Sequence, residues 1–312
     1  MLRLIWPLVL VFAASAADPI FELMGRIKPQ GQASVSLFGA TTPFAVSGLT
    51  DEDGAFSFPN LQPGAYTLAV LLPDRGEARR TIEIGPSNAD SRNRVKLSFE
   101  FQDSDFSADA LRQRHSISTT QLAVSDQAVH HYEEARKALA HRDVESAAAA
   151  LEQAVALSPQ FSAAWNELGT IAYQTGKYER AEECFRQSLL ADPRAYEPLV
   201  NLGGALVTLN RTDEALGYNI HAVLIRPNDA LAQSQLGLAY FQAHNYDLAL
   251  KHLAIARQLD PAHFSRPQLT MAEIHLRRGD RHAAAGDLED FLKYHPDWPA
   301  AAKMREKIAE LR

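Results

Sequence analysis

The residues best able to do chemistry lie in His130-His131-Tyr132-Glu133-Glu134, where a histidine precedes a glutamate by three positions twice over. On a helix that spacing brings an imidazole and a carboxylate to one side of one turn, and such a pair can ligate zinc. Asp51-Glu52-Asp53 gathers carboxylate oxygens of the hard type that calcium takes, and Cys184 is the only thiol. Each set stops short of a site. The later glutamate that closes an EF-hand loop is missing, so a solvated acidic turn is the reading for Asp51 to Asp53. A single cysteine forms no intramolecular disulfide, and Cys184, one residue before Phe185, reads as a packing residue. The histidine and glutamate pairs read as a solvated helix face, because no stretch of chain remains to build a catalytic domain around them. A zinc-dependent peptidase stands as the minority alternative. No G-x-S-x-G elbow, G-x-x-x-x-G-K phosphate loop or H-E-x-x-H motif occurs, so no catalytic residue, bound metal or cofactor is expected.

These residues sit in a chain with a ruler. Pro159, Pro193, Pro227 and Pro261 stand 34 residues apart, and Pro296 follows after 35. Ala147, Ala181, Ala215, Ala249 and Ala284 keep the same beat, as do Leu168-Gly169, Leu202-Gly203 and Leu236-Gly237. A fixed period of this length is the mark of a repeat array. Each unit reads as two amphipathic helices, A around the Leu-Gly pair and B through the periodic alanine. In the second unit helix A covers roughly 163 to 175 and helix B roughly 179 to 191, joined at Gly176. Small residues at Gly169 and Ala181 let the pair approach, and Pro193 ends helix B. One such hairpin cannot bury its own apolar face, so the units stack into a solenoid. The repeats run 128–161, 162–195, 196–229, 230–263 and 265–298. Residues 299–312 read as a capping helix with Ala302, Met304, Ile308 and Leu311 inward.

From about 20 to 101 the period changes to two, as in Phe56 and Phe58, Tyr66, Leu68 and Val70, and Val95, Leu97 and Phe99. Turn signals at Asp53-Gly54, Pro63-Gly64, Pro73-Asp74 and Gly85-Pro86 separate short strands, which predicts a small all-β sandwich. Phe56 and Phe58 share a face, where Tyr66 and Leu68 are expected to meet them across the sheet. Residues 102–127 read as a linker, docked in part through Ile117 and Leu122. The fold class is therefore multidomain, a β-sandwich followed by an all-α solenoid.

At the N-terminus, Arg3, the apolar run Leu4 to Ala14 and the small residues Ala14-Ser15-Ala16-Ala17 read as a signal peptide over 1–17, too short to span a bilayer. The mature protein is expected in the periplasm or secreted. A net charge of -7 argues against nucleic acid or an anionic membrane surface as the main partner.

Two resemblances add to this reading. Trp165, Leu168, Gly169, Ala181, Phe185 and Pro193 stand at the offsets of the tetratricopeptide repeat (TPR), with Ala172 replacing its usual Tyr. The resemblance implies that helix A lines a concave groove and that positions 2, 5, 6, 9, 12 and 13 of each repeat face a partner. Position 6 runs Glu133, Glu167, Asn201, Gln235, Thr270, a column able to bond an extended peptide backbone. Tyr132 and Asn166 at position 5, Glu273 at position 9, and Tyr173 and Phe241 at position 12 complete the groove candidates. Basic residues at such positions are limited to Arg136, Arg266 and Arg277, which argues against a clamp for a C-terminal carboxylate. Thr50-Asp51-Glu52-Asp53-Gly54-Ala55-Phe56, followed by Leu61-Gln62-Pro63-Gly64-Ala65-Tyr66, resembles the carboxypeptidase regulatory-like domain. That resemblance implies an accessory, non-catalytic sandwich with a carbohydrate-binding-like fold. The expected function is an exported, non-enzymatic interaction scaffold binding a protein or peptide in the groove. An adaptor holding envelope polysaccharide through the sandwich is the alternative.

Overall fold

A computed structural model describes residues 19–28, 31–107 and 123–312. The segment read as a signal peptide lies outside them, as do Ile117 and Leu122 of the linker. The chain forms a β-rich region followed by eleven α-helices among the described residues.

Seven strands, β1 (Phe21–Lys28), β2 (Ser34–Gly39), β3 (Ala45–Leu49), β4 (Ala55–Leu61), β5 (Gly64–Leu72), β6 (Gly76–Ile84) and β7 (Arg94–Glu100), form two sheets. One has the order β4-β1-β7, with β1 antiparallel to β4 and parallel to β7. The other, β3-β2-β5-β6, is antiparallel throughout. Alternation drives the inward residues Leu23, Val35, Leu37, Leu68, Val70 and Val95 into one core. Tyr66 and Leu68 do not meet Phe56 and Phe58 within a sheet, because the turn at Gln62-Pro63 carries the chain from one sheet to the other. All four are instead buried in the one core that the two sheets share. Phe56, Phe58 and Tyr66 are only 8%, 3% and 3% exposed, so none of the three offers a platform on which a sugar could stack. The acidic turn is likewise accounted for locally. Asp51 Oδ1 accepts from the Asp53 and Ala55 N–H groups at 3.0 and 2.8 Å, and Gly54 closes the turn at φ +75°.

The helices come in pairs: α1 (Asp126–Ala140) and α2 (Val144–Leu157), α3 (Ser162–Gln174) and α4 (Tyr178–Ala191), α5 (Tyr196–Thr208) and α6 (Thr212–Ile225), α7 (Ala230–Gln242) and α8 (Tyr246–Leu259), α9 (Pro267–Arg277) and α10 (Arg281–Tyr294), with α11 (Ala301–Leu311) last. Every second helix ends two residues before a proline of the beat, which removes the next N–H and disfavours helical backbone at the residue before it. The periodic alanines are fully buried where the two helices of a pair touch. At Gly169 a side chain would collide with the Phe185 ring, so its absence sets how closely α3 and α4 approach. The turns inside the pairs share a left-handed residue, at Arg142, Gly176, Asn210, His244 and Gly279. Only two of these are the glycine that such a conformation favours.

The cap differs from expectation in one residue. Ala302 is exposed and Ala301 takes the inward place, so that Ala301, Met304, Ile308 and Leu311 form the stripe. Steps of three, four and three keep residues on one helical face, whereas Ala302 falls on the far side of Met304.

Candidate functional site

The first helix of each pair carries the groove candidates, and stacking has already paired many of them. Asn201 Nδ2 donates to Asn166 Oδ1 at 3.1 Å, from one repeat to the previous one. Tyr132 hydrogen-bonds Glu167 in the next repeat. Burial raises both groups above their ordinary values, and the Glu167 carboxylate raises the phenol further. The Tyr173 hydroxyl lies 2.9 Å from Thr208 Oγ1. Gln235 rests against Gly204, where a side chain would collide with it. Phe241 is half-buried beneath Arg277, whose guanidinium carbon stands 4.9 Å from the ring centroid. Thr270 is half-buried, and the exposed Glu273 pairs with Arg277, Oε1 to Nε at 3.1 Å. Glu133 is exposed on α1. The surface is thus a cross-bonded polar strip with Glu133, Glu273 and Arg277 standing out of it.

The paired histidines stay apart from this strip. His130 Nε2 and His131 Nδ1 both lie near Glu134, at 3.3 and 3.0 Å, and no group of three metal-ligating side chains forms among the described residues. Cys184 is fully buried, and burial pushes its thiol up to about 11, which leaves it unreactive near neutrality.

A second set of residues, which the sequence did not bring together, ties the sandwich to the array. At the first repeat, Arg136 Nη2 donates to Ser47 Oγ at 3.0 Å, and Arg142 Nη2 to the Tyr66 hydroxyl at 2.7 Å. The Arg142 guanidinium also sits 4.3 Å from the Phe44 ring centroid. Gln174 Nε2 of the second repeat reaches the Gly39 carbonyl at 2.9 Å. Further along, Arg79 Nη2 lies 3.4 Å from Glu197 Oε1, the Thr81 N–H donates to Asp260 Oδ2 at 2.9 Å, and His295 Nδ1 lies 2.9 Å from Glu83 Oε1. Asp297 Oδ2 accepts from the Ser87 N–H and hydroxyl at 3.1 and 2.7 Å. Burial alone would push Glu197 up, but Arg79 and Arg226 outweigh it and hold the carboxyl below its ordinary value. Glu77, with Glu197 and Asp229, raises Arg79, so this corner of the seam is firmly ionic. The signal for some of these residues was in the register. Glu197 is at position 2, Arg136 at position 9 and Gln174 at position 13 of their repeats, all groove-facing offsets.

Comparison with known proteins agrees with this geometry. A tetratricopeptide repeat family model matches residues 132–183 and 167–230. Human cell division cycle protein 16 homolog is 29% identical over 153 residues, covering 45% of this chain and 24% of the relative. Anaphase-promoting complex subunit 3 of Schizosaccharomyces pombe is 25% identical over 156 residues, 50% of this chain and 23% of its own. The chain therefore spans about a quarter of the length of these curated relatives. Among solved structures, PilW, described as a widely conserved type IV pilus biogenesis factor, superposes with a TM-score of 0.53 at 22% identity, over 60% of this chain and 86% of that one. MamA from Desulfovibrio magneticus RS-1 gives 0.50 at 21% identity, over 57% and 99%. At such identities the likeness is one of fold, and with the matching family model it identifies the helical region of this chain as a TPR-type solenoid.

Proposed function

We propose that the chain is a non-enzymatic scaffold whose concave face takes a polypeptide partner. The observation that carries this is the polar strip in which Asn201 bonds Asn166 and Gln235 packs against Gly204, flanked by the aromatic rings of Tyr173 and Phe241. Side-chain amides held in place by their neighbours can give hydrogen bonds to an extended backbone with little ordering cost. The TPR model match supports an interaction role, as does the resemblance to subunits named for a multi-protein assembly. The N-terminal sequence supports export, with the mature protein in the periplasm or outside the cell. Among the described residues no helix is long and apolar enough to cross a membrane.

A photo-crosslinking amino acid placed at Glu133, and separately at the exposed Leu190 on α4, tests the face. Discrete adducts from the Glu133 site that disappear in Asn201→Ala/Gln235→Ala support it; adducts from the Leu190 site alone refute it. Export is checked by the mass of the protein isolated from cells. Processing after Ala16 or Ala17 is expected, and an unprocessed chain in the cytosolic fraction would reject that part.

A further inference from the structure

The face of β6 turned toward the array meets it as a bound strand would. Ala78, Ile82 and Ile84 fill the sandwich core, which sends Arg79, Thr81 and Glu83 to the opposite side. β6 is also the outer strand of its sheet, and an outer strand leaves backbone groups to be satisfied. The array satisfies one of them. Asp260 of the fourth repeat takes the Thr81 N–H, while Glu197 of the third and His295 of the fifth take the side chains two residues before and two after. Three successive repeats thus read three alternate residues of one extended segment, with one backbone contact and two charged or polar ones. These three contacts are hydrogen bonds, one of them also an ion pair between Arg79 and Glu197, and polar contacts of this kind mark an interface between domains that can open.

We propose that the inner edge of repeats three to five is a reader of extended polypeptide, and that β6 occupies it in cis and competes with any partner of the same chemistry. The matching segment carries a basic residue, an available backbone N–H two positions on, and an acidic residue two positions beyond that. Being part of the same chain gives β6 the advantage of an intramolecular ligand, so a partner binds at the cost of displacing the sandwich. This rests on the reading of the array as a polypeptide binder and adds to it where the sequence preference lies and what masks it.

The probe is a fluorescein-labelled peptide of residues 76–88, titrated into three full-length proteins: wild type, Arg79→Ala/Glu83→Ala on the strand side, and Glu197→Gln/Asp260→Ala on the reader side. Amide exchange at Thr81 reports the seam in each, and helical circular dichroism confirms that each is folded. The expected result is faster Thr81 exchange in both variants, with the peptide bound about tenfold more tightly by the strand-side variant than by wild type. The reader-side variant should bind it no better than wild type. Faster Thr81 exchange without tighter binding by the strand-side variant overturns the proposal. So does equal binding by the two variants, or unchanged exchange with unchanged binding in both. Crosslinking at Glu133 is read independently, so failure here is distinct from failure of the groove.

Discussion

The sandwich and the array bury similar side chains, but they gather them in opposite ways. In the array each core unit is drawn from one repeat and its neighbours, as where Phe185 covers Gly169 of its own repeat and shares a core with Leu202 and Leu206 of the next, and the arrangement is copied along the chain. In the sandwich Leu23 is aligned with Phe58 on one side and Val95 on the other, partners brought in from far along the chain. A repeated core carries its own controls, since a substitution in one repeat can be judged against its counterparts in the others. The sandwich has none.

The largest expected effect separates the two regions. Phe185→Ala should cost about 3–5 kcal/mol in the urea transition followed by helical circular dichroism. Phe58→Ala should loosen the sandwich by a similar amount and leave the helical midpoint nearly in place, because most ties across the seam are hydrogen bonds and ion pairs and only Ala45 of the sandwich joins the apolar core of the array. If Phe58→Ala moves the helical transition equally far, the regions fold as one unit and the contrast fails.

Next comes a flaw in the copying. Leu151, Phe185, Leu253 and Leu288 occupy one position in four repeats, and the third repeat has Asn219 there, fully buried. Asn219 Oδ1 has no hydrogen-bond partner among the described residues. Asn219→Leu should therefore stabilise the array by about 1–3 kcal/mol, measured by the same urea transition. A loss would show that this amide has a partner worth more than the apolar contact.

The glycines sharpen the comparison within helices. Gly169→Ala puts a methyl against the Phe185 ring and should destabilise by about 1–3 kcal/mol. Gly217→Ala and Gly286→Ala face open space in α6 and α10 and should each gain about 0.5–1 kcal/mol. Thermal midpoints moving the same way in all three would refute the packing role of Gly169.

The smallest effect is set by pH. Glu167 has its pKa raised in the folded protein, chiefly by burial, so the folded state prefers it protonated. Its contribution is full below the unfolded carboxyl value and is lost as pH rises through the folded one. Glu167→Gln should match wild type in acid and exceed it in stability near neutrality. A variant less stable at neutral pH would mean that the ionised carboxylate is what Tyr132 and Arg136 favour.

Local punctuation and long-range packing also differ in how far a sequence reveals them. The array was legible because Pro193 and its counterparts punctuate the chain locally, and the alternation at Phe56 and Phe58 likewise announced the sandwich core. The seam was not, since Arg79, Thr81 and Glu83 alternate with core residues in the same way whether they face water or another polar surface. Nor does periodicity reveal that Asn201 spends a hydrogen bond on Asn166, because that depends on how repeats stack. The inward residue of the cap slipped by one, from Ala302 to Ala301, because a short helix leaves its phase to a few apolar side chains.

The ties from Arg136, Gln174, Glu197, Asp260 and His295 to the sandwich fall one in each of the five repeats. A solenoid whose repeats touch only their neighbours yields to a pull like a spring, gaining length by small rotations at every junction. Here all the coils are fastened to a single stiff bar. Stretching this molecule end to end must shear that bar loose before the coils can extend, so its arc is held at fixed curvature until the seam gives way.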